Sequence, residues 1–217
     1  MSDGGNMIIC VTYENLSQYG KAFYDQFRLR HECFVERQNY NVWVHNGMEF
    51  DQYDSPAAIY LAALSPEKEL LGCSRLTPTC HKSMLKELWP ELVEHPQDVF
   101  FPGTWEGTRF CIKKSLSPDI REKVCRELVV GYFEIGLSFG INKIIGVMQP
   151  FIFRRVFGRA GCSYNFLGQK MKLPSGEIIA AAAMDITQEA LNEVRKKTGI
   201  FNTVVEHQPE RSSKLAA

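Results

Sequence analysis

The chain carries no surplus charge. Its 25 basic residues are matched by 25 acidic ones, so the basic excess of a dedicated nucleic-acid binder is missing and no nucleic-acid partner is expected. No apolar run approaches the roughly 20 residues that cross a bilayer, and the first residues lack the charged-then-apolar order of a signal peptide. No membrane span is therefore expected, and the expected location is the cytoplasm. The seven cysteines are odd in number, widely spaced and without a C-x-x-C pair. They signal neither a disulfide framework nor a metal site and read as small, mostly buried hydrophobes. A glycine-rich dinucleotide fingerprint, a phosphate loop, an internal repeat and a low-complexity tract are also absent, which excludes the common nucleotide-binding and solenoid patterns.

What is present is an ordinary globular composition: 217 residues, 45% apolar and 23% charged. That suits a single domain over residues 1–201, followed by a polar tail, 202–217, expected to be mobile or to pack late. Residues 7–12 read as a strand, and a helix follows Asn15 or Ser17 with Tyr19, Phe23, Phe27 and His31 at four-residue spacing. Segments 57–64 and 69–77 are two mostly apolar strands around a short turn, and 82–92 is a short helix stopped near Pro90. Ser117, Pro118 and Gly140 frame a long helix. Beyond it come a buried-type strand at 143–148 and a helix at 151–159. A hairpin of 164–171 with 177–186 follows, then a last helix between Thr187 and Gly199. Strands joined both by hairpins and through helices favour an α/β fold, a mixed twisted central sheet flanked by helices.

One stretch organises the charged residues: Trp105-Glu106-Gly107-Thr108-Arg109-Phe110-Cys111-Ile112. In extended backbone, side chains alternate faces, so Glu106 and Arg109 point to opposite sides unless the strand bends. Either Gly107 or Thr108 interrupts the alternation, or the two charges work on different sides. Elsewhere, Arg28, Arg30 and Arg37 crowd the end of the first helix, and Glu49, Asp51 and Asp54 fall within six residues of a polar loop, 38–54. These sets are either solvated faces or partners for one another. Arg75 lies inside an apolar strand, where it is costly without an anion.

Taken together, these positions resemble the acyl-homoserine-lactone synthases, the LuxI-type autoinducer synthases of bacterial quorum sensing. The resemblance runs from about Phe23 to Gly161 in four ordered blocks. Leu29 to Arg37 matches the family's Arg-x-x-x-Phe signature at Arg30 and Phe34, and Met48 to Asp54 matches its paired aspartates at Asp51 and Asp54. Gly72 to Thr79 supplies Arg75, and Glu106 with Arg109 keeps the Glu-x-x-Arg spacing. Two positions depart from the commonest pattern: Tyr40 stands for a Trp, and Trp89 for a Phe. Both keep an aromatic wall and bear on substrate shape rather than on the reaction.

The resemblance implies an N-acyltransferase (GNAT)-like fold and no prosthetic group or metal. It implies a bacterial cytoplasmic enzyme that joins an acyl thioester, carried by acyl carrier protein or coenzyme A, to S-adenosylmethionine. The α-amine attacks the thioester, the carboxylate closes on its own γ-carbon, and methylthioadenosine leaves. An ammonium must lose a proton before it attacks, so a carboxylate base is required, and Glu106 fills that place. Arg109, Asp51, Asp54 and Arg75 complete the implied catalytic set. Arg30, Phe34, Tyr40, Trp89, Asp51 and Arg109 are the implied contacts to S-adenosylmethionine. Backbone N–H groups near Phe110 or Met148 are candidates for the oxyanion.

Many N-acetyltransferases cradle the coenzyme pyrophosphate on a glycine-rich turn, whereas Lys113-Lys114-Ser115-Leu116-Ser117-Pro118 contains no glycine. Lys143, Arg154, Arg155 and Arg159, with Lys170 and Lys172, form either a patch for acidic carrier protein or a scattered solvated set. Members of the family that make 3-oxo products often carry a Thr in the strand before the helix at 151–159, whereas that strand here, Ile144-Ile145-Gly146-Val147-Met148, has no hydroxyl. An unsubstituted acyl chain is therefore expected, in a pocket of Phe101, Val147, Met148, Phe151 and Phe157. Two other readings stay open: an acetyl-coenzyme-A-dependent N-acetyltransferase, and a non-catalytic acyl-carrier-binding module.

Overall fold

Local signals place the longest helix. Ser117 Oγ accepts the Ile120 N–H, Pro118 takes the first turn, and Gly140 ends the helix at φ +67°, where no side chain obstructs the left-handed turn. The resulting α3, Pro118–Phe139, lays Val124, Leu128, Tyr132 and Ile135 against a sheet. The computed structural model describes residues 6–206, and its main sheet has nine strands. In spatial order these are β11 (Val205–Glu206), β1 (Met7–Val11), β4 (Ile59–Leu64), β5 (Leu70–Pro78), β6 (Thr104–Ile112), β7 (Lys143–Met148), β10 (Ile178–Asp185) and β8 (Asn165–Phe166). β9 (Met171–Lys172) pairs separately with β10. β1, β4, β5 and β6 pair antiparallel in turn, and β6 and β7 run parallel, so the sheet is mixed.

Two layers cover it. α3 and α5 (Gln188–Thr198) close one face over a core that includes Leu61, Leu76, Ile144 and Met184. α1 (Leu16–Arg30) crosses the other face over Tyr60, Ala62, Cys73 and Cys111, and continues as a wider turn through Arg37. Further along that face, α2 (Met84–Leu88) and the segment after it cover Ile145, Ile179 and Ala181. The loop before β4 contains a two-residue ribbon, β2 (Val44–His45) with β3 (Met48–Glu49), turning at Asn46 and Gly47, both at positive φ.

Several expected elements are shorter than periodicity suggests. The short helix at 82–92 does stop near Pro90, as expected: it runs from Met84 to Leu88 and gives way to a tight turn at Pro90–Leu92, because Pro90 has no N–H to continue it. The helix expected at 151–159 is a single turn, α4 (Pro150–Phe153), widening through Arg154–Gly158. The strand expected at 164–171 survives only as the short β8 and β9. The first residues of the expected tail pack against the domain. Glu134, buried on α3, accepts the N–H groups of Val204 and Val205 and pairs with Arg195, which docks β11 beside β1. The part of the expected tail beyond Glu206 lies outside the described residues.

One feature of the sheet positions the site. β6 pairs with β7 only from Thr104–Lys143 to Glu106–Ile145, yet both strands run on, to Ile112 and Met148. Beyond Glu106 the two strands part, leaving a wedge with unpaired backbone edges on either side.

Candidate active site

The strand β6 carries the site because its alternation fails at one residue. Trp105 and Gly107 face α3, while Glu106 and Thr108 face α1 and α2. Opposite this stretch, Cys73 pairs with Cys111 and Arg75 with Thr108, so two residues of β6, Arg109 and Phe110, stand against the single Ser74. Arg109 takes up the extra length at φ +55°. A side chain in that left-handed conformation costs on the order of 1 kcal/mol, and the consequence is a change of parity. Arg109 joins Glu106 and Thr108 on the α1 face, and Phe110 turns to the α3 face against Tyr132 and Phe157. The interruption expected at Gly107 or Thr108 thus lies at Arg109 itself, and both charges reach one side.

On that side six charged groups close into an alternating ring. Arg30 Nε meets Glu49 Oε2 at 2.6 Å, and Glu49 Oε1 meets Arg109 Nη2 at 2.8 Å. Arg109 Nη2 lies 2.7 Å from Asp51 Oδ2, and Asp51 Oδ1 lies 2.6 Å from Arg75 Nη1. Arg75 Nη1 is 2.8 Å from Asp54 Oδ1, and Asp54 returns to Arg30 through two bonds of 2.8 Å. Arg30, Arg75 and Glu49 are fully buried, whereas Asp51, Asp54 and Arg109 keep 9%, 9% and 12% of their side chains exposed. Ions taken out of water cost several kcal/mol each unless fully paired. Here every charge touches two of opposite sign, and Thr108 and Tyr60 hydroxyls take up Arg75 Nε and Asp54. Burial alone would raise the Asp54 carboxyl, but the Arg30 fork and the nearby Arg75 hold it well below the usual range. The guanidiniums of Arg30 and Arg75 are held charged by the same pairs against the pull of burial.

Glu49 was visible in sequence as one of three crowded carboxylates, but it was not assigned to the site. A charge count does not find it, because Glu106 balances the third arginine in the expected set; only the placement of Glu106 on Met84 and Leu85, away from the ring, leaves one cation over.

Glu106, 1% exposed, stands apart from the ring. Its two oxygens accept the N–H groups of Met84 (2.7 Å) and Leu85 (2.8 Å) and so tie α2 to β6. Burial pushes its carboxyl up, and those bonds, with a hydrogen bond from the Ser83 side chain and the charge of Arg75, only partly offset the effect. Phe34 lies over the Arg109 guanidinium at 5.2 Å and stacks on Tyr40, whose hydroxyl reaches Glu177.

A model of the family described as "Autoinducer synthase" matches residues 15–194. The chain belongs to the autoinducer synthase family. Its relatives include an acyl-homoserine-lactone synthase of Rhizobium etli, 35% identical over 65% of this chain and 68% of that protein. The isovaleryl-homoserine lactone synthase of Bradyrhizobium diazoefficiens is 28% identical over 94% of this chain and 90% of its own. A solved structure of BjaI, a CoA-dependent acyl-homoserine lactone synthase with SAM and isopentyl-CoA, superposes with a TM-score of 0.82. It covers 95% of both chains at 28% identity. A putative N-acetyltransferase from Lactobacillus plantarum superposes with a TM-score of 0.55 over 84% of this chain and 99% of its own, at 14% identity. The fold is therefore GNAT-like, and the family is one of acyltransferases. Among the described residues no helix is long and apolar enough to cross a membrane.

In this autoinducer synthase the other expected residues are divided by the sheet. Trp89 packs with Val147 on the α2 side. Met148 and Phe157 belong to the α3 side, because successive strand residues face opposite ways. Phe151 is half exposed on α4, and Phe101 lies under the Lys143 ammonium at 5.7 Å. The five residues expected to line one acyl pocket therefore do not share one face. Val147 and Met148 border the wedge, whereas Phe101 sits beside Lys143, at the end of β7 that is still paired with β6. Arg154, Arg155 and Arg159 are exposed together after β7. Lys143 starts that strand, about 20 Å of extended chain away from its end, and is engaged by Phe101 and Asp185.

Proposed function

We propose that this chain makes an acyl-homoserine lactone from S-adenosylmethionine and an acyl-coenzyme A carrying an unsubstituted acyl group. The observation that carries the reading is the closed ring of Arg30, Glu49, Arg109, Asp51, Arg75 and Asp54 beside the β6–β7 wedge. Its partly exposed rim, Asp51, Asp54 and Arg109, offers anions to the ammonium and sulfonium of S-adenosylmethionine and a cation to its carboxylate. Phe34 and Tyr40 extend from Arg109 as an aromatic wall for the adenosyl part, with Trp89 across the wedge. Coenzyme A as donor is supported by the likeness to BjaI. The glycine-free segment Lys113 to Pro118 implies that the pyrophosphate is held differently from the usual turn, and Arg154, Arg155 and Arg159 are the nearest exposed cations after β7.

In the acyl step the amine nitrogen bonds to the thioester carbon. The C–S bond breaks with its electron pair on the departing thiolate, and the amine proton passes to a base. Glu106 takes that role: burial makes it more basic than an exposed carboxylate, and the bonds from Met84, Leu85 and Ser83 leave its carboxylate one acceptor site to spare. The developing oxyanion is met by the free backbone N–H groups near Phe110 or Met148. In the second step the carboxylate oxygen bonds to the γ-carbon, the C–S⁺ bond breaks, and the sulfur takes the pair as methylthioadenosine leaves.

The test is turnover by purified protein with S-adenosylmethionine and panels of acyl-coenzyme A and acyl carrier protein donors, with products identified by mass. Methylthioadenosine and an unsubstituted lactone from coenzyme A donors are expected. Transfer without methylthioadenosine points to an ordinary N-acetyltransferase, and turnover from carrier protein alone overturns the donor assignment. A dominant 3-oxo product overturns the acyl assignment.

A further inference from the structure

Gly107 is the residue of the central stretch whose purpose the ring does not explain. A methyl group there would lie 3.0 Å from Tyr132 Oη and 3.3 Å from Tyr132 Cε2, so glycine is what lets the tyrosine of α3 rise against β6. Its ring is clamped edge-on by Phe110 at 6.1 Å and stacked on Phe157 at 6.0 Å. From there its hydroxyl reaches Ser74 Oγ at 2.5 Å, and Ser74 Oγ lies 3.0 Å from the carbonyl oxygen of Thr108.

Proton counting orders this chain. A carbonyl only accepts, so the single Ser74 proton goes to Thr108, and Ser74 must then accept from Tyr132. Burial pushes the Tyr132 phenol up, so it stays protonated and can donate. Ser74 is the residue against which Arg109 and Phe110 bulge, and Thr108 immediately precedes Arg109. Thr108 is held twice, by its carbonyl from the α3 side and by its hydroxyl, which accepts from Arg75 Nε at 3.0 Å on the ring side.

We infer that Tyr132 and Ser74 are positioning residues for the synthase reaction: their hydroxyl chain pins Thr108 and so holds the bulge that aims Arg109 into the ring. The inference rests on reading the ring as the S-adenosylmethionine site. It assigns a role to two residues on the face of the sheet turned away from that substrate, acting through the strand rather than by contact.

Tyr132→Phe removes one oxygen and keeps the packing; Ser74→Ala removes the middle link. Each is expected to raise the KM for S-adenosylmethionine about tenfold, the upper range for one hydrogen bond. The KM for the acyl donor and kcat at saturating S-adenosylmethionine should stay within about twofold. The double variant should be no worse than either single one, because the links act as one chain. A second readout needs no turnover: the Arg109 Nε–H resonance, identified by its loss in Arg109→Lys, shifts in Tyr132→Phe while that of Arg30 stays. Lowered thermal stability with an unchanged KM for S-adenosylmethionine and an unchanged Arg109 resonance would assign the chain to structure alone and overturn the inference. If the wild-type protein releases no methylthioadenosine with any donor, the proposed function fails, and the Arg109 resonance still decides whether the chain holds the bulge.

Discussion

The two faces of β6 solve opposite problems. Toward α3 lie Trp105, Phe110, Tyr132 and Phe157, an apolar and aromatic layer whose burial stabilises the fold at about 25 cal/mol per Å². Toward α1 lie three guanidiniums and three carboxylates with almost no exposure, an arrangement that well-packed apolar residues would match or exceed in stability. A charged ring kept in such a place points to use rather than to stability, and its rim is the part that reaches solvent. One residue of bulge separates the two chemistries, and the hydroxyl chain through Ser74 links them.

The sharpest way to break the comparison is to open the ring. Glu49→Gln keeps the shape but leaves Arg30 Nε and Arg109 facing a neutral amide. The expected loss is about 3–5 kcal/mol of stability, as for other buried pairs that lose one member. At least a hundredfold in methylthioadenosine release should go with it. Urea unfolding and turnover measure the two losses; a stable, active Glu49→Gln protein would make the ring dispensable.

The next test cuts the other face. Phe157→Ala should cost about 3 kcal/mol or more through the cavity it leaves. It should also raise the KM for S-adenosylmethionine, by less than Tyr132→Phe does, because Phe157 stacks on the ring that carries the link to Ser74, while longer acyl donors gain in relative rate. An unchanged KM for S-adenosylmethionine in this variant would mean that the two faces are separate in function.

The smallest effect is one of pH. The Asp54 carboxyl is depressed in the folded protein. It binds its proton less readily there than in the unfolded chain, so its contribution is full above the unfolded value of about 3.9 and fades as pH falls through the folded one. Thermal unfolding of wild type and Asp54→Asn should converge as pH drops below about 4. A gap between them that persists in acid would locate the stabilisation outside the ring.

Much of the fold was readable because its signals are local. Ser117, Pro118 and Gly140 bound α3 as expected, Thr187 and Gly199 bound α5, and the 143–148 apolar run is β7 without adjustment. Where signals depend on neighbours, the reading fell short. The sequence 164–171 alternates like a strand, but only two short pieces of it find partners. Val147 and Met148 are expected in one pocket, but a strand sends them to opposite faces. The set Arg30, Asp51, Asp54, Arg75 and Arg109 came from spacing matched to a family. No motif position points to Glu49.

The residue types by themselves determined that a strand would carry Glu106 and Arg109, that arginines buried in apolar runs would need anions, and that a mixed sheet would be wrapped by helices. These follow from alternation, from capping and from the cost of an unpaired charge. Only the tertiary structure decided that Arg109, rather than Gly107 or Thr108, breaks the alternation. It also decided that the charges from positions 30, 49, 51, 54, 75 and 109 close into one ring. The bulge is a property of register between β5 and β6, set by what Ser74 faces. Register is the balance of contacts from the whole sheet, which no eight-residue window contains.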